Sequence, residues 1–255
     1  MIDIHCHILP GLDDGARSIE ESVLMARVAV KEGITGIVAT PHHRTSHFDN
    51  ERQAVLDAVE LLQQRLVEEE IPLEIYPGQE IRIHSDMSQL FNTEELVTIN
   101  NNNRYFLLEL PFEQIPTYTE QLLFNVQTQG FRPILVHPER HHIFQEHPNR
   151  LFELIQHGAV TQLTAGSLTG RFGKKVKKLS EDLLRHNFIQ LIASDAHQPK
   201  KRGFELQEAY RIAGKIIGRQ AVYQLMENAE RVLKGQSLVI EEPIRIKHKR
   251  FLGLF

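Results

Sequence analysis

The strongest constraint on how this chain can fold is an alternation. Short apolar runs rich in β-branched residues fall at Ile2–Ile4, Gly36–Thr40, Leu73–Tyr76, Tyr105–Leu108, Pro133–Val136, Val160–Leu163 and Phe188–Ala193, with longer amphipathic segments between them. Runs of this length and content suit strands buried on both faces, as in parallel sheets. A strand, a helix and a second parallel strand join through a right-handed crossover. Repetition of that unit through 255 residues predicts one α/β domain over 1–255. Seven parallel strands alternating with helices are expected, and (β/α) barrels of the TIM type routinely reach about 250 residues as one unit.

The helical segments carry their own punctuation. Ser18-Ile19-Glu20-Glu21 reads as a capping box opening a helix that ends near Gly33. Residues 50–70 place Val55, Leu56, Val59, Leu62 and Leu66 at helical spacing. Further helices are expected over 117–129, 149–157 and 174–186, with two or three across 204–234. No internal repeat or low-complexity linker marks a domain boundary.

The expected strands end in metal-ligating residue types. His5 and His7 close the first, and Thr40-Pro41-His42-His43 follows the second. Glu80 lies four residues past the third; Glu109, His137 and Asp195-Ala196-His197 end the fourth, fifth and seventh. A lone polar residue at a strand end is usually solvated or a cap. Six strands agreeing is a different matter, because the carboxyl face of a parallel α/β barrel carries its active site. His5-x-His7 and Asp195-x-His197 also place each pair on one strand face. The donors are imidazole and carboxylate without thiolate, which suits zinc, iron or manganese in a multi-ion site rather than a structural zinc.

Composition excludes other classes. Cys6 is the single cysteine, so neither an intrachain disulfide nor a multi-thiolate site can form. The start, Met1-Ile2-Asp3-Ile4-His5, has no signal-peptide pattern, and no run approaches the ~18–20 apolar residues of a membrane span. A cytoplasmic protein without stable membrane insertion is expected. A net charge of −4 gives no drive toward nucleic acid. The chain holds 14 histidines and no tryptophan.

The opening Asp3-Ile4-His5-Cys6-His7-Ile8-Leu9-Pro10-Gly11-Leu12-Asp13-Asp14-Gly15-Ala16 resembles that of the bacterial tyrosine-protein phosphatases of capsule and exopolysaccharide synthesis, the CpsB/YwqE type of the PHP (polymerase and histidinol phosphatase) superfamily. The resemblance continues through Thr40-Pro41-His42-His43, Gly78-Gln79-Glu80, Glu109-Leu110-Pro111, His137-Pro138-Glu139-Arg140 and Ser194-Asp195-Ala196-His197. It implies a distorted seven-stranded barrel holding three divalent ions, with manganese expected and iron or zinc as alternatives. One ion would take His5, His7, Glu80 and Asp195. A second would share Glu80 and add Glu109 and His137. The third would take Asp14, His42 and His197. Spacing alone leaves Asp13 and Asp14 open; the motif favours Asp14.

The resemblance also implies that Arg140 and Arg202 bind the substrate phosphate; the general acid is left open among His42, His197 and other groups. Water held between divalent ions is nucleophilic at neutral pH. Three such ions outweigh the four carboxylates of the set and leave a site that attracts a phosphate dianion. The implied substrate is a tyrosine-phosphorylated protein, in particular a membrane-associated tyrosine kinase. The rivals are a small-molecule phosphatase acting on histidinol phosphate, a nuclease and a non-enzymatic scaffold. Cysteine-based phosphate transfer is excluded, because Cys-x5-Arg needs arginine where Leu12 stands. Cys6 alternates away from His5 and His7 and reads as core. His43, His47, His84, His141, His142 and His147 read as loop residues around the site. The tail Arg245–Leu252, basic and apolar, is expected to pack on the domain or dock on a membrane-associated partner.

Overall fold

The computed structural model describes residues 1–247 apart from 92 and 94. Within them lie nine strands: β1 (Ile2–Cys6), β2 (Gly36–Ala39), β3 (His42–His43), β4 (Glu74–Pro77), β5 (Glu80–Arg82), β6 (Tyr105–Glu109), β7 (Arg132–Val136), β8 (Val160–Thr164) and β9 (Leu191–Ala193). Every pairing between strands is parallel. The strands form two sheets, ordered β1-β2-β4 and β3-β5-β6-β7-β8-β9.

Each of the seven expected segments overlaps a strand, but the count is nine rather than seven. The second and third segments continue, after breaks at Thr40-Pro41 and Gly78-Gln79, as the short strands β3 and β5. Proline cannot donate to a ladder. Gly78 is needed where it stands, because a Cβ there would lie 2.8 Å from Val38 Cγ1. Backbone hydrogen bonds also run between the sheets. Glu80 N–H donates to Pro41 O at 3.1 Å, His7 N–H to Ala196 O at 2.8 Å and Asp195 N–H to His5 O at 2.9 Å, and Cys6 bridges Ala196 in parallel.

Alternation along the strands sorts the core. Val38, Tyr105, Leu107, Ile134, Val136, Val160, Leu191 and Ala193 share one apolar cluster with Val232 and Leu233 of the helix Arg219–Leu233. Phe106, Leu108, Leu135, Leu163 and Ile192, one residue out of phase, pack outward against the helices. Glu109 and Gln162 continue the first set, in phase with Leu107 and Val160, so the apolar column gives way to polar groups at its carboxyl end.

Helix starts and stops follow local chemistry. Ser18 Oγ accepts from Glu21 N–H at the head of Ile19–Lys31, and the Glu21 carboxylate takes the Arg17 N–H at 3.0 Å. The expected 204–234 segment is two helices, Leu206–Ile217 and Arg219–Leu233, broken at Gly218. No helix among the described residues is long and apolar enough to cross a membrane. The tail packs on the domain as far as it is described: Ile244 N–H donates to His186 O, and Asn149 bonds Ile246 through both its backbone groups. Its residues 248–252 lie outside the described residues.

Candidate metal centre

His5 and His7 are fully buried at the end of β1. His5 Nδ1 lies 2.9 Å from Gln162 Oε1, and His7 Nδ1 lies 2.6 Å from Asp13 Oδ2. Both partners are acceptors, so each Nδ1 carries the proton and each Nε2 presents a lone pair. Those two Nε2 atoms are 3.2 Å apart. Glu80 Oε2 lies 3.5 Å from His5 Nε2 and 3.4 Å from His7 Nε2, and Asp195 Oδ1 lies 3.6 and 3.5 Å from them. Four acceptor atoms face one another in a dry site. Only positive charge between them offsets that repulsion. The same demand shows on a proton. Burial acts to lower the His7 pKa, yet Asp13, with Asp195 and Glu80, raises it well above the ordinary imidazole value.

Asp13 reaches His7 because the loop after β1 folds back on the strand end. Ala16 N–H donates to His7 O at 3.1 Å, and a Cβ on Gly15 would lie 2.1 Å from that oxygen, so only glycine fits. Asp13 also accepts from Gly15 N–H and His42 N–H. Asp14, the next residue, is half exposed. Its Oδ1 lies 3.5 Å from His42 Nε2 and 3.3 Å from His197 Nε2. His197 Nδ1 faces Asp195 O at 3.0 Å, which leaves its Nε2 buried without a hydrogen-bond partner.

Glu80 stands at the centre. Its Oε1 is 2.7 Å from His137 Nε2, and its Oε2 is 2.9 Å from His42 Nδ1. The second pair is not aligned for a hydrogen bond, and both atoms are buried orphans. Burial works to raise the Glu80 pKa, but His5 and His42 hold it well below the carboxylate range. Glu109 behaves oppositely: burial and the Glu80 charge push it up to about 7. Burial and Arg140 take His137 down to about 3, so its imidazole stays neutral.

Two backbones are strained at this face. His137 (φ 40°) and Asp195 (φ 53°) are non-glycine residues in the left-handed region. His137 precedes Pro138, a position biased toward extended backbone, so its conformation is held against local preference. Both strained residues turn toward one cavity of about 260 Å³, lined also by Asp14, His42, Glu80 and Glu109. Arg140 and Arg202 line it too. Arg140 Nη2 contacts Asp195 Oδ2, and Arg202 Nη2 lies 3.2 Å from the same oxygen. A larger cavity of about 530 Å³, beside Gln190 and Asn228, contains no cluster of this kind among the described residues.

All nine residues singled out as ligands meet at this face. Three sets bring ligand atoms within 4.8 Å of one another: His5, His7 and Glu80; His42, Glu80 and Glu109; and His7, Asp14, His42 and His197. These differ in membership from the expected sets. Asp195 stands beside the first, His137 bonds Glu80 beside the second, and His7 joins the third. Converging acceptors and orphaned buried atoms fit divalent cations. The remaining described histidines enter no set, although His47 lines the cavity. Cys6 is fully buried, and burial pushes its thiol well above the usual range.

Sequence reasoning missed the residues that hold the ligands. Asp13 and Gln162 fix the two β1 histidines, and Arg82 Nη2 lies 2.8 Å from Glu109 Oε2. Arg82 follows Glu80 by two residues on one strand, an alternation that could have paired them. Nothing in the sequence linked Gln162 to His5, 157 positions away.

A family model described as capsular polysaccharide synthesis, CpsB/CapC, matches residues 1–234. The chain is 44% identical over 255 residues to the tyrosine-protein phosphatase YwqE of Bacillus subtilis (strain 168), with 100% of both chains covered. It is 30% identical over 244 residues to the tyrosine-protein phosphatase CpsB of Streptococcus pneumoniae, covering 92% of this chain and 99% of that protein. A crystal structure described as one of YwqE from Bacillus subtilis and CpsB from Streptococcus pneumoniae, metal-dependent tyrosine phosphatases, superposes with a TM-score of 0.95 at 44% identity. That match covers 97% of this chain and 100% of the other.

Proposed function

The chain belongs to the CpsB/CapC family of capsular polysaccharide synthesis, and from that premise we propose how its strand-end site works. The protein is a metal-dependent protein-tyrosine phosphatase. The observation that carries the assignment to this site is the cluster of converging imidazoles and carboxylates around Glu80, with two arginines on the same cavity.

In this reading three divalent ions, manganese first among them, are held by His5, His7, Glu80 and Asp195, by Glu80, Glu109 and His137, and by Asp14, His42 and His197. When bound, such ions supply an activated water and positive charge for phosphate oxygens. The chain's own residues do the rest. Asp13 and Gln162 hold the tautomers that aim two imidazole lone pairs inward. Arg140 and Arg202 offer planar donors that orient a phosphate dianion and stabilise the charge that builds on it. His42 and His197 serve in this reading as ligands, and either could hand on a proton only from a nitrogen that holds no ion. A tyrosyl leaving group, with a parent pKa of about 10, needs less of that help than an alkyl alcohol.

Three further points belong to the same reading. The two sheets act as one distorted seven-stranded barrel of the PHP type, β2 with β3 and β4 with β5 each counting once; the Cys6–Ala196 bridge supports it. Residues 1–255 act as one domain. The substrate is a phosphotyrosyl protein in the cytoplasm, the tail of a membrane-associated tyrosine kinase, since an extended tail can present its phosphate to a strand-end cavity with little interface.

The test is one purified, manganese-loaded sample assayed in parallel on a phosphotyrosyl peptide and on histidinol phosphate. The peptide is expected to be turned over with the higher kcat/KM. Equal or better turnover of histidinol phosphate would replace this reading with a small-molecule one.

A further inference from the structure

We propose that Phe48 and Phe112 form an aryl-binding subsite that selects phosphate esters of phenols over those of alkyl alcohols. The inference rests on the phosphatase reading above and adds the group that chooses its substrate.

Among the described residues lining the 260 Å³ cavity, these two are the only apolar ones. Every other lining side chain is charged, an imidazole or a hydroxyl. Each ring lies flat against one of the two histidines that take opposite oxygens of Glu80. Phe48 stacks on His42 with ring centroids 6.0 Å apart and planes 12° apart, and Phe112 stacks on His137 at 5.5 Å and 22°. The rings therefore stand on the two flanks of the central carboxylate, on the wall of the cavity. Arg140 lies 5.9 Å from the Phe112 ring, so one phosphate-binding residue borders the apolar wall.

Both rings sit on anchored backbone. Phe48 N–H donates to Thr45 Oγ1 at 2.9 Å, and Thr45 N–H returns a bond to Phe48 O at 3.0 Å. Phe112 O accepts from His142 N–H at 3.0 Å. Phe112 nevertheless leaves 36% of its surface exposed. The exposed part of that ring lies in water beside a charged cluster, and covering it is favourable. A phosphate bound to the arginines directs its ester group outward, past these rings. A phenyl ring there meets aromatic faces, whereas a short alkyl group leaves them wet. Aromatic pairs contribute about 0.5–1.5 kcal/mol beyond area burial.

The test separates binding from chemistry. Calorimetry on the manganese-loaded protein compares phenylphosphonate with methylphosphonate, neither of which can be hydrolysed. Wild type is expected to bind the phenyl compound at least about tenfold tighter, and Phe48→Ala or Phe112→Ala to lose roughly 3–10-fold of that preference while binding methylphosphonate unchanged. Phe48→Leu and Phe112→Leu keep apolar bulk and should retain part of it. Bound manganese is measured in every variant, since a merely structural role would lower metal content and both affinities together. Variants that keep the full phenyl preference overturn the subsite. If wild type prefers the phenyl compound yet turns over no phosphotyrosyl peptide, the phosphatase reading fails and the subsite stands.

Discussion

Replacing Asp13 by asparagine tests whether the site depends on orientation as much as on ligands. Three N–H groups, from His7 Nδ1, Gly15 and His42, share the two oxygens of this carboxylate. Although burial works to raise it, His7 holds the Asp13 pKa far below the carboxylate range, so the bond at 2.6 Å is charge-assisted. Asparagine keeps one oxygen. Placed toward Gly15, it turns its NH₂ on His7 Nδ1, which must then accept, and the proton moves to Nε2 where a lone pair is required. Placed toward His7, it leaves Gly15 N–H unmatched, at a cost of about 1–3 kcal/mol of stability. Losing an orienting partner of this kind costs about 10–100-fold in metal affinity, or roughly 1.4–2.7 kcal/mol. The ionic, short bond places Asp13→Asn toward the upper end, and Gln162→Leu, which removes a neutral acceptor from His5, toward the lower. The assay strips the protein with chelator, titrates manganese against phosphotyrosyl-peptide hydrolysis, and follows thermal unfolding of the stripped protein in parallel. A half-activating manganese concentration within about twofold of wild type in Asp13→Asn would refute the reasoning, since a real orienting bond is worth at least about tenfold.

Other outcomes follow from the same geometry. Chelator should abolish activity and manganese restore it, whereas Cys6→Ser, altering a buried thiol remote from any thiolate chemistry, should keep most activity; a folded, metal-loaded and inactive Cys6→Ser would contradict this. His42→Ala and His197→Ala should lose metal and activity together. Arg140→Ala and Arg202→Ala should keep the metal and lose roughly 2–4 kcal/mol of transition-state stabilisation, read as kcat/KM beside metal analysis. Metal activation should also depend on pH. Glu109 stands at about 7 in the ion-free protein, raised by burial and Glu80, so below that pH a cation must displace its proton. His7, whose pKa is also raised, must lose its proton too, so the half-activating concentration is expected to climb more steeply with falling pH below about 7 than above it, and a slope unchanged from about pH 5.5 to 8 would count against Glu109 as a ligand.

Much of this was legible in the sequence because a polar residue at a strand end interrupts an apolar pattern. His5, His7, Glu109, His137 and Asp195 stand out for that reason, and they meet. Glu80 was legible only in part. Read as lying beyond its strand, it heads β5, pairing with His42 on one side and Leu107 on the other. Periodicity cannot detect a three-residue strand after a glycine break, and the contact that requires glycine, Gly78 against Val38, is long-range. The extra strand count has the same origin.

The orienting residues were illegible for a different physical reason. Gln162 fits the alternation of β8 as any half-polar strand residue would, and Asp13 differs from Asp14 only in which way a loop turns. Yet these groups decide whether the donors are ligands at all. A histidine whose Nδ1 lacks a fixed acceptor can carry its proton on either nitrogen. Two such rings with Nε2 atoms 3.2 Å apart could then share a proton and satisfy each other without a cation. With Gln162 and Asp13 in place two neutral rings turn their lone pairs on each other and on Glu80 and Asp195, and only added positive charge, a metal ion or the extra proton that His7 takes up without one, offsets the repulsion. The strand ends thus supply the donor atoms, while the two acceptors behind them convert a buried polar cluster into one that demands a cation.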